Sequence, residues 1–189
     1  MRATAIVFSG ENKVEIETVN LRAPGKGEVF IETVFFCVSP GTELRCLRGK
    51  EKNAPAFPIV PGYSLTGTVV YAGKGVKTFK CGDTVFCTGT IHAGHLNIGW
   101  GGHISYAICR EENIEKIPDG ISMLEASTTA LAAIAFHGVR LSRPQINEKV
   151  AVVGLGIIGR LSAAIYKLSG AEVVACDVSS ERVAMAGRN

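Results

Sequence analysis

The sequence has no long apolar run, no large surplus of one charge and few aromatic residues. Its hydrophobic stretches fall well short of the ~20 apolar residues of a membrane-spanning helix, and its first ten residues lack the apolar core of a secretory signal peptide. Lys and Arg number 20 against 17 Asp and Glu, a net charge of +3, and the basic residues are scattered. We therefore expect a cytoplasmic protein that binds neither nucleic acid nor membrane.

The chain does contain ample material for a hydrophobic core. Hydrophobic residues make up 47% of its 189 residues and charged residues 20%, a balance typical of globular domains. Six cysteines are spread along the chain, which at this length favours reduced thiols over a disulfide framework. The length suits one good-sized domain, or one and a half small ones.

The first 120 residues alternate short β-branched and aromatic runs with Gly, Pro and Asn, a pattern typical of strands and tight turns. It predicts an all-β, barrel-like unit over residues 1–120. We expect its strands at 4–8, 13–18, 28–37, 67–72, 84–87, 102–109 and 114–117.

The pattern changes over residues 121–189. Ser122 and Glu125 are spaced as a capping box ahead of an Ala-rich helical stretch at 126–139. Apolar runs at 150–153 and 171–176 then enclose a helical pattern at 159–168, and a last helix starts near Ser179. This order of strand, helix and strand predicts the beginning of a doubly wound parallel sheet.

A glycine-rich turn joins the first strand of that sheet to its helix. Gly154, Gly156 and Gly159 match G-x-G-x-x-G, in which glycines permit a tight turn, close approach of a pyrophosphate and close packing of helix on strand. With Ile157 and Ile158, this turn offers the N–H groups of a helix N-terminus to the phosphates. We predict a dinucleotide site; the alternative is a plain turn between strand and helix.

An acidic residue follows at the spacing expected for ribose recognition. Asp177 lies 18 residues beyond Gly159, where a carboxylate accepts hydrogen bonds from the ribose hydroxyls of NAD and repels the 2′-phosphate of NADP. Arg182 lies close by in the sequence and could still bind that phosphate. We predict NAD as the cofactor and NADP as the less favoured one; the alternative role for Asp177 is to cap the last helix.

These motifs together resemble the medium-chain dehydrogenase/reductase superfamily, the alcohol dehydrogenase-like enzymes with a GroES-like catalytic domain. Residues 28–34 are similar to the strand before its active-site loop, 61–67 to its P-G-H-E-x-x-G segment, 81–85 to its G-D-x-V turn and 101–106 to its G-G-x-A-E-Y segment. The resemblance implies a chain of mixed α+β and α/β class, a GroES-like β-barrel domain followed by the first part of a Rossmann doubly wound parallel sheet. It also implies hydride transfer between NAD(H) and a small alcohol or carbonyl substrate.

The zinc-dependent members of that superfamily bind a catalytic zinc through a Cys, the His of G-H-E and a further Cys. The corresponding positions of this sequence hold Pro40, Tyr63 and Ser127. None offers a thiolate or an imidazole, so we expect no catalytic zinc. An alternative register aligns Cys37 with the first ligand, but the histidine is still missing.

Another set of metal-ligand types, His92, His95 and His103 with Cys87, lies along the second half of the β unit. Its spacing is irregular and its loop is rich in glycine, so we interpret the histidines as solvent-exposed loop residues instead of metal ligands. The same loop carries the single Trp100 and alternatively lines a substrate cleft.

Without zinc, hydrogen-bond donors must polarise the substrate oxygen, and the resemblance brings Tyr63, Thr42 and Ser39 to that place. We expect Tyr63 to donate to the developing alkoxide. The structural alternatives are a packed Tyr63 ring and Thr42 as the cap of a helix that begins at Glu43. Glu43 either orients the neighbouring loop or is a plain first-turn acid. The loop at 39–43 and the Pro-Gly-Tyr segment also resemble zinc-less branches of the superfamily, including bacteriochlorophyllide dehydrogenase-like proteins.

The cofactor-binding segment is short for its predicted fold. Residues 150–189 number 40, whereas each βαβ unit takes ~30 residues and a doubly wound domain needs two βαβαβ halves. We therefore expect the N-terminal portion of a larger enzyme, inactive as an isolated chain of 189 residues. Four apolar residues should be poorly covered, which leaves homo-oligomer formation open: Val152, Val153, Ile165 and Val174.

Two other functions stay open at this point. One is NADPH-dependent reduction of a quinone or an enone, against which Asp177 argues. The other is a nucleotide-binding or interaction module without turnover, which the short cofactor segment favours.

Overall fold

Strands dominate residues 1–129, the first of two units into which the chain divides. The computed structural model describes residues 1–187. In this unit its strands are β1 (Arg2–Gly10), β2 (Lys13–Asn20), β3 (Glu28–Phe36), β4 (Ile59–Val60), β5 (Leu65–Ala72), β6 (Thr84–Cys87), β7 (Asn97–Ile98), β8 (Tyr106–Arg110) and β9 (Ile114–Lys116). Helix α1 (Pro40–Leu47) lies between β3 and β4, and α2 (Met123–Ala126) follows β9.

The strands of the first unit form two sheets around a common core. One sheet has the order β2-β1-β4-β7 and the other β8-β3-β5-β6-β9. An isolated antiparallel bridge also joins Ala5 of β1 to Ile104, just before β8. Because successive side chains of a strand point to opposite faces, Ala3, Ala5 and Val7 of β1 are buried in the shared core, whereas Arg2 is exposed. The predicted β unit is confirmed.

Several predicted boundaries differ from the structure. Strands β4 and β7 have two residues each, too few to show a pattern in the sequence. The strand predicted at 102–109 begins only at Tyr106, and α1 begins at Pro40, upstream of the predicted start. The domain boundary predicted between residues 120 and 121 stays a prediction.

The Ala-rich helix is divided into α2 and α3 (Thr129–Ser142). The capping box of Ser122 and Glu125 at its start is confirmed. Between the two helices, three successive hydroxyl groups donate to backbone carbonyl oxygens three residues earlier, which competes with regular helical pairing. The hydroxyls belong to Ser127, Thr128 and Thr129.

The second unit contains a βαβ segment. Strands β10 (Lys149–Val153) and β11 (Glu172–Cys176) pair in parallel, helix α4 (Ile157–Leu168) connects them and contacts both, and α5 (Ser180–Ala186) follows. Val153 and Val174 are 83% and 68% exposed, as expected, whereas Val152 is buried. The expectation for Val152 was wrong because alternate residues of β10 face opposite sides, and Val152 lies on the side near Gly159 of α4. Within residues 1–187, none of the helices combines the length and apolar character that crossing a membrane requires.

Candidate functional site

The N-terminus of α1 brings two of the predicted hydroxyl groups together. Pro40 occupies the first turn, where its missing N–H costs nothing, and Ser39 is the N-cap residue. The Ser39 hydroxyl makes no bond to its own helix; it accepts a hydrogen bond of 2.5 Å from the hydroxyl of Tyr63. The usual capping role of serine is therefore replaced by a contact with a residue from another segment.

Thr42 does not cap this helix. It lies inside α1 and is half-buried, so the predicted cap was wrong. The helix starts earlier because Pro40 is already compatible with its first turn. Among residues 1–187, no side-chain hydrogen bond joins Thr42 to Ser39 or Tyr63.

Glu43 takes over the capping of α1. Its Oε1 accepts a hydrogen bond of 2.8 Å from the backbone N–H of Ser39, as the acid of a capping box does. The residue is only 5% exposed, so it is not a solvated first-turn acid. Its second oxygen, Oε2, lies 2.6 Å from Nε2 of His103.

His103 is a core residue, not the solvent-exposed loop histidine that we expected from the sequence. Its side chain is 3% exposed, and its ring lies 4.4 Å from that of Phe36, centroid to centroid. On another side it covers Gly62, where an added Cβ would collide with the imidazole ring. The spacing of the histidines in the sequence does not reveal that Gly62, which has no side chain, leaves room for the His103 ring.

Tyr63 stands between the Ser39 hydroxyl and the single tryptophan. Its ring meets that of Trp100 edge-on, with centroids 5.6 Å apart. Two backbone bonds hold these segments side by side, from Gly102 N–H to Gly62 O at 2.7 Å and from His103 N–H to Pro61 O at 3.0 Å. The two motifs at 61–67 and 101–106 are thus neighbours in space.

The positions that correspond to zinc ligands do not form a zinc-binding set. Pro40 has no ligating atom, and Tyr63 is bonded to Ser39. At the third position, the Ser127 hydroxyl donates to Leu124 O at 2.7 Å, and its carbonyl oxygen accepts from Ser64 at 2.5 Å. Zinc is bound in proteins by thiolate, imidazole or carboxylate groups. The three positions offer none of these, so this donor set does not fit the catalytic zinc of the superfamily.

The other histidines and Cys87 are dispersed. His95 is exposed and lies 3.6 Å from Glu17, His92 accepts from the N–H of Gly94, and buried Cys87 contacts Cys109 with their sulfurs 3.3 Å apart. Across the part of the chain that the structure describes, no three His, Cys, Asp or Glu residues cluster in a way that could hold a metal ion.

In the second unit, the glycine-rich turn has the geometry of a phosphate cradle. Gly154 has a φ of +96°, and an added Cβ at Gly159 would collide with Gly154 O. An added Cβ at Gly156 would meet nothing within 4 Å, so the space over this residue is open. Gly156 is the N-cap of α4, which leaves the first N–H groups, those of Ile157, Ile158 and Gly159, without partners in the helix. These features fit a dinucleotide.

Asp177 is bonded to the same turn. Its carboxylate accepts from Ser179 N–H at 2.8 Å and from Leu155 N–H at 2.6 Å, and Arg182 lies 3.5 Å from Oδ2. These N–H groups, Ser179 first, lower the pKa of Asp177 below its ordinary value, and the positive charge of Arg182 adds to the effect. The Asp177 side chain is only 3% exposed, so a ribose would have to displace one of these partners to reach the carboxylate.

Comparison with known proteins identifies the family of the first unit. Residues 25–119, about half of the chain, match the alcohol dehydrogenase GroES-like domain family. The chain belongs to this family. Membership places it in the medium-chain dehydrogenase/reductase superfamily and confirms the predicted fold class, a GroES-like domain followed by part of a Rossmann fold.

Relatives of this GroES-like chain are dehydrogenases. It is 29% identical to an alcohol dehydrogenase of Geobacillus stearothermophilus over 96% of its own length and 59% of the relative's. It is 30% identical to a 2-desacetyl-2-hydroxyethyl bacteriochlorophyllide A dehydrogenase of Cereibacter sphaeroides, over 91% and 55%. The chain therefore spans less than two thirds of the length of these relatives.

Solved structures share the fold over nearly the whole GroES-like chain. The acetophenone reductase of Geotrichum candidum in complex with NAD has a TM-score of 0.85 at 27% identity and matches 99% of this chain and 61% of its own. A zinc-binding dehydrogenase from Sinorhizobium meliloti, bound to NADP, has a TM-score of 0.86 at 19% identity, with coverage of 100% and 60%. The second likeness shows the fold alone.

Proposed function

We propose that this chain belongs to an oxidoreductase that transfers hydride between NAD(H) and an alcohol or carbonyl substrate, with hydroxyl groups in place of a catalytic zinc. The observation that carries the proposal is the hydrogen bond between Tyr63 and Ser39, because the Ser39 hydroxyl is turned away from its helix. The dehydrogenase relatives and the open glycine-rich turn support a nicotinamide cofactor.

The two hydroxyls can stabilise charge at the substrate oxygen. When hydride adds to a carbonyl carbon, negative charge develops on the oxygen, and a positioned O–H stabilises it and then supplies the proton. Tyr63 donates to Ser39 Oγ, so the Ser39 proton is the one left for the substrate. Tyr63 polarises that donor through the shared bond. We thus assign direct donation to Ser39, where the sequence had favoured Tyr63.

The nicotinamide, when bound, supplies or accepts the hydride. The N–H groups of Ile157, Ile158 and Gly159 would hold its pyrophosphate, and Asp177 would accept bonds from the adenosine ribose. Because its pKa is lowered, Asp177 carries a negative charge at neutral pH, which disfavours the 2′-phosphate of NADP. Arg182 offsets part of that charge, so we propose a preference for NAD and not an exclusion of NADP.

Substitution of the hydroxyls in the full-length protein tests this mechanism. We expect Ser39→Ala to lower kcat by about 100-fold or more and Tyr63→Phe to lower it by about tenfold. Tyr71→Phe, at an exposed tyrosine of β5, is the matched control and should behave as the unsubstituted protein. Wild-type turnover by Ser39→Ala would contradict the proposal. Thr42→Val tests the third candidate hydroxyl, and we expect a smaller decrease in kcat from it.

Metal and cofactor content are tested separately. Calorimetric titration of the full-length protein with NAD and NADP, before and after treatment with a chelator, should show tighter NAD binding that chelation leaves unchanged. Stoichiometric bound zinc in a metal assay would defeat the hydroxyl mechanism. Tighter NADP binding would favour the alternative of a quinone or enone reductase.

A panel of alcohols, aldehydes and quinones separates the enzymatic proposals from a nucleotide-binding module. Oxidation or reduction of the cofactor is followed by absorbance in the nicotinamide band. We expect turnover with an alcohol or carbonyl compound and NAD(H). Silence across the panel, with NAD binding intact, would favour the module.

A further inference from the structure

We propose that Glu43 and His103 are positioning residues that hold Ser39 against Tyr63, an inference that rests on the function proposed above. The two side chains are 60 residues apart in sequence, and their contact is made by the tertiary fold alone. Their side chains are 6% and 3% exposed. A buried acid must have hydrogen-bond partners, and Glu43 has one on each oxygen.

The first oxygen fixes the Ser39 backbone. Glu43 Oε1 accepts from Ser39 N–H at 2.8 Å, which satisfies the N–H that a free helix N-terminus leaves exposed. The Ser39 hydroxyl makes no capping bond to the N–H groups of α1, and it accepts from Tyr63 instead. A serine that capped its own helix would orient its oxygen toward the N–H groups of α1.

The second oxygen fixes Glu43 itself. His103 Nε2 lies 2.6 Å from Glu43 Oε2. Because an ionised carboxylate only accepts hydrogen bonds, we assign the hydrogen to Nε2 as the donor. Nδ1 of the same ring has no hydrogen-bond partner among residues 1–187, which agrees with the tautomer that has no hydrogen there.

The ring of His103 is held by its neighbours. It lies against Phe36 at 4.4 Å and over the Cα of Gly62, which has a φ of +85°. Gly62 directly precedes Tyr63 in the chain, so the backbone next to Tyr63 is packed against the His103 ring. The Ser39–Tyr63 contact is thereby fixed from both sides.

A positioning role predicts a loss of turnover with little change in substrate binding. In the full-length protein, His103→Leu cannot donate to Glu43, and we expect kcat to fall by about tenfold or more while KM stays within about twofold. His103→Gln retains an N–H donor and should recover most of the wild-type kcat. NAD affinity, which depends on the glycine-rich turn, should be equal in all variants.

Amide hydrogen exchange of the 189-residue chain gives a readout independent of turnover. We expect the Ser39 amide to exchange about tenfold faster or more in His103→Leu than in wild type or His103→Gln. The Arg48 amide, bonded to Leu44 O at the other end of α1, is the internal control and should not change. Equal acceleration at both amides would mean a general loss of stability and would overturn the positioning role.

The outcomes separate this inference from the function on which it rests. If Ser39→Ala is inactive while His103→Leu keeps wild-type kcat and Ser39 protection, the positioning role is wrong and the proposed function stands. If Ser39→Ala is fully active, the proposed function fails, and amide exchange still decides whether the pair holds Ser39. Should His103→Leu not fold, nitrogen NMR of wild-type His103 decides: hydrogen on Nε2 supports the pair, and hydrogen on Nδ1 alone overturns it.

Discussion

The hydroxyl site of the first unit and the glycine-rich turn of the second are built in opposite ways. The hydroxyl site joins residues far apart in the chain, with Ser39 bonded to Tyr63 and Glu43 to His103. The turn is one continuous segment, residues 154–159, which runs from the end of β10 into the first turn of α4. The first site depends on the fold around it, whereas the second depends on local backbone geometry. Substitutions in the first should therefore lower stability, and substitutions in the second should lower cofactor affinity.

The largest expected effect is the loss of stability in Gly62→Ala. A Cβ at this position collides with the His103 imidazole, and φ is +85°, so both packing and backbone oppose it. We expect the free energy of unfolding to fall by about 3 kcal/mol. Trp100 is the only tryptophan, so denaturant unfolding followed by its fluorescence reports on the first unit. Wild-type stability would mean that the imidazole moves aside freely.

Gly156→Ala, in the glycine-rich turn of the second unit, should affect cofactor binding instead of stability. Its added Cβ meets nothing within 4 Å, so the free energy of unfolding should change by less than about 1 kcal/mol. The methyl group would occupy the space that a pyrophosphate needs, and we expect NAD affinity to fall by about tenfold or more, which corresponds to about 1.4 kcal/mol. Calorimetric titration with NAD measures it. Unchanged affinity would remove the turn from the cofactor site.

A surface ion pair in the first unit, Arg22 with Glu28, should contribute only a little to stability. Hydrogen bonds from Arg22 chiefly lower the pKa of Glu28 from 4.5 to about 2. An acid whose pKa is lowered by folding stabilises the folded state at pH values above its ordinary pKa. That stability is lost as the pH falls from 4.5 toward 2.

The Arg22 side chain is 41% exposed, so we expect about 1 kcal/mol from this pair. The free energy of unfolding of wild type, measured across that pH range, should decline more steeply than that of Glu28→Gln. Parallel curves for the two proteins would show that the pair contributes nothing measurable.

The smallest effect is a difference in thiol reactivity that leaves stability unchanged. Cys81 in the first unit and Cys176 in the second are exposed, whereas the contact with Cys87, followed by burial, raises the pKa of Cys109 well above its ordinary value. Because the thiolate is the reactive form, an alkylating reagent at neutral pH should modify Cys81 and Cys176 and spare Cys87 and Cys109 in the folded chain. Mass spectrometry of the labelled peptides checks it, with denatured chain as the control.

Local features could be read from the sequence because their cause lies within a few residues. The capping box of Ser122 and Glu125 and the turn from Gly154 to Gly159 both depend on short-range geometry, and the structure has them where the sequence placed them. The start of α1 was misplaced by three residues for a related reason. Ser39 and Thr42 are both of residue types that favour the N-cap position, so residue type alone did not decide which of them precedes the helix.

The buried pair was beyond the reach of the sequence. The sequence left Glu43 either to orient the neighbouring loop or to be a plain first-turn acid, and it predicted His103 as one of several loop histidines. Neither segment contains a signal that identifies its partner. The available signal was indirect: His103 stands in an otherwise small and apolar run, Gly102 to Ile104, where an exposed histidine has no evident reason to be.

The sequence by itself determined the family, the strand-rich first unit and the βαβ segment with its glycine turn, because hydrophobic period, caps and glycine positions act over short distances. The tertiary structure alone decided that Ser39 is hydrogen-bonded to Tyr63 and that Glu43 is hydrogen-bonded to His103. The physical reason is that burial makes each polar group find a partner among whatever segments the sheets bring together, and that choice is made by the packing of the whole unit.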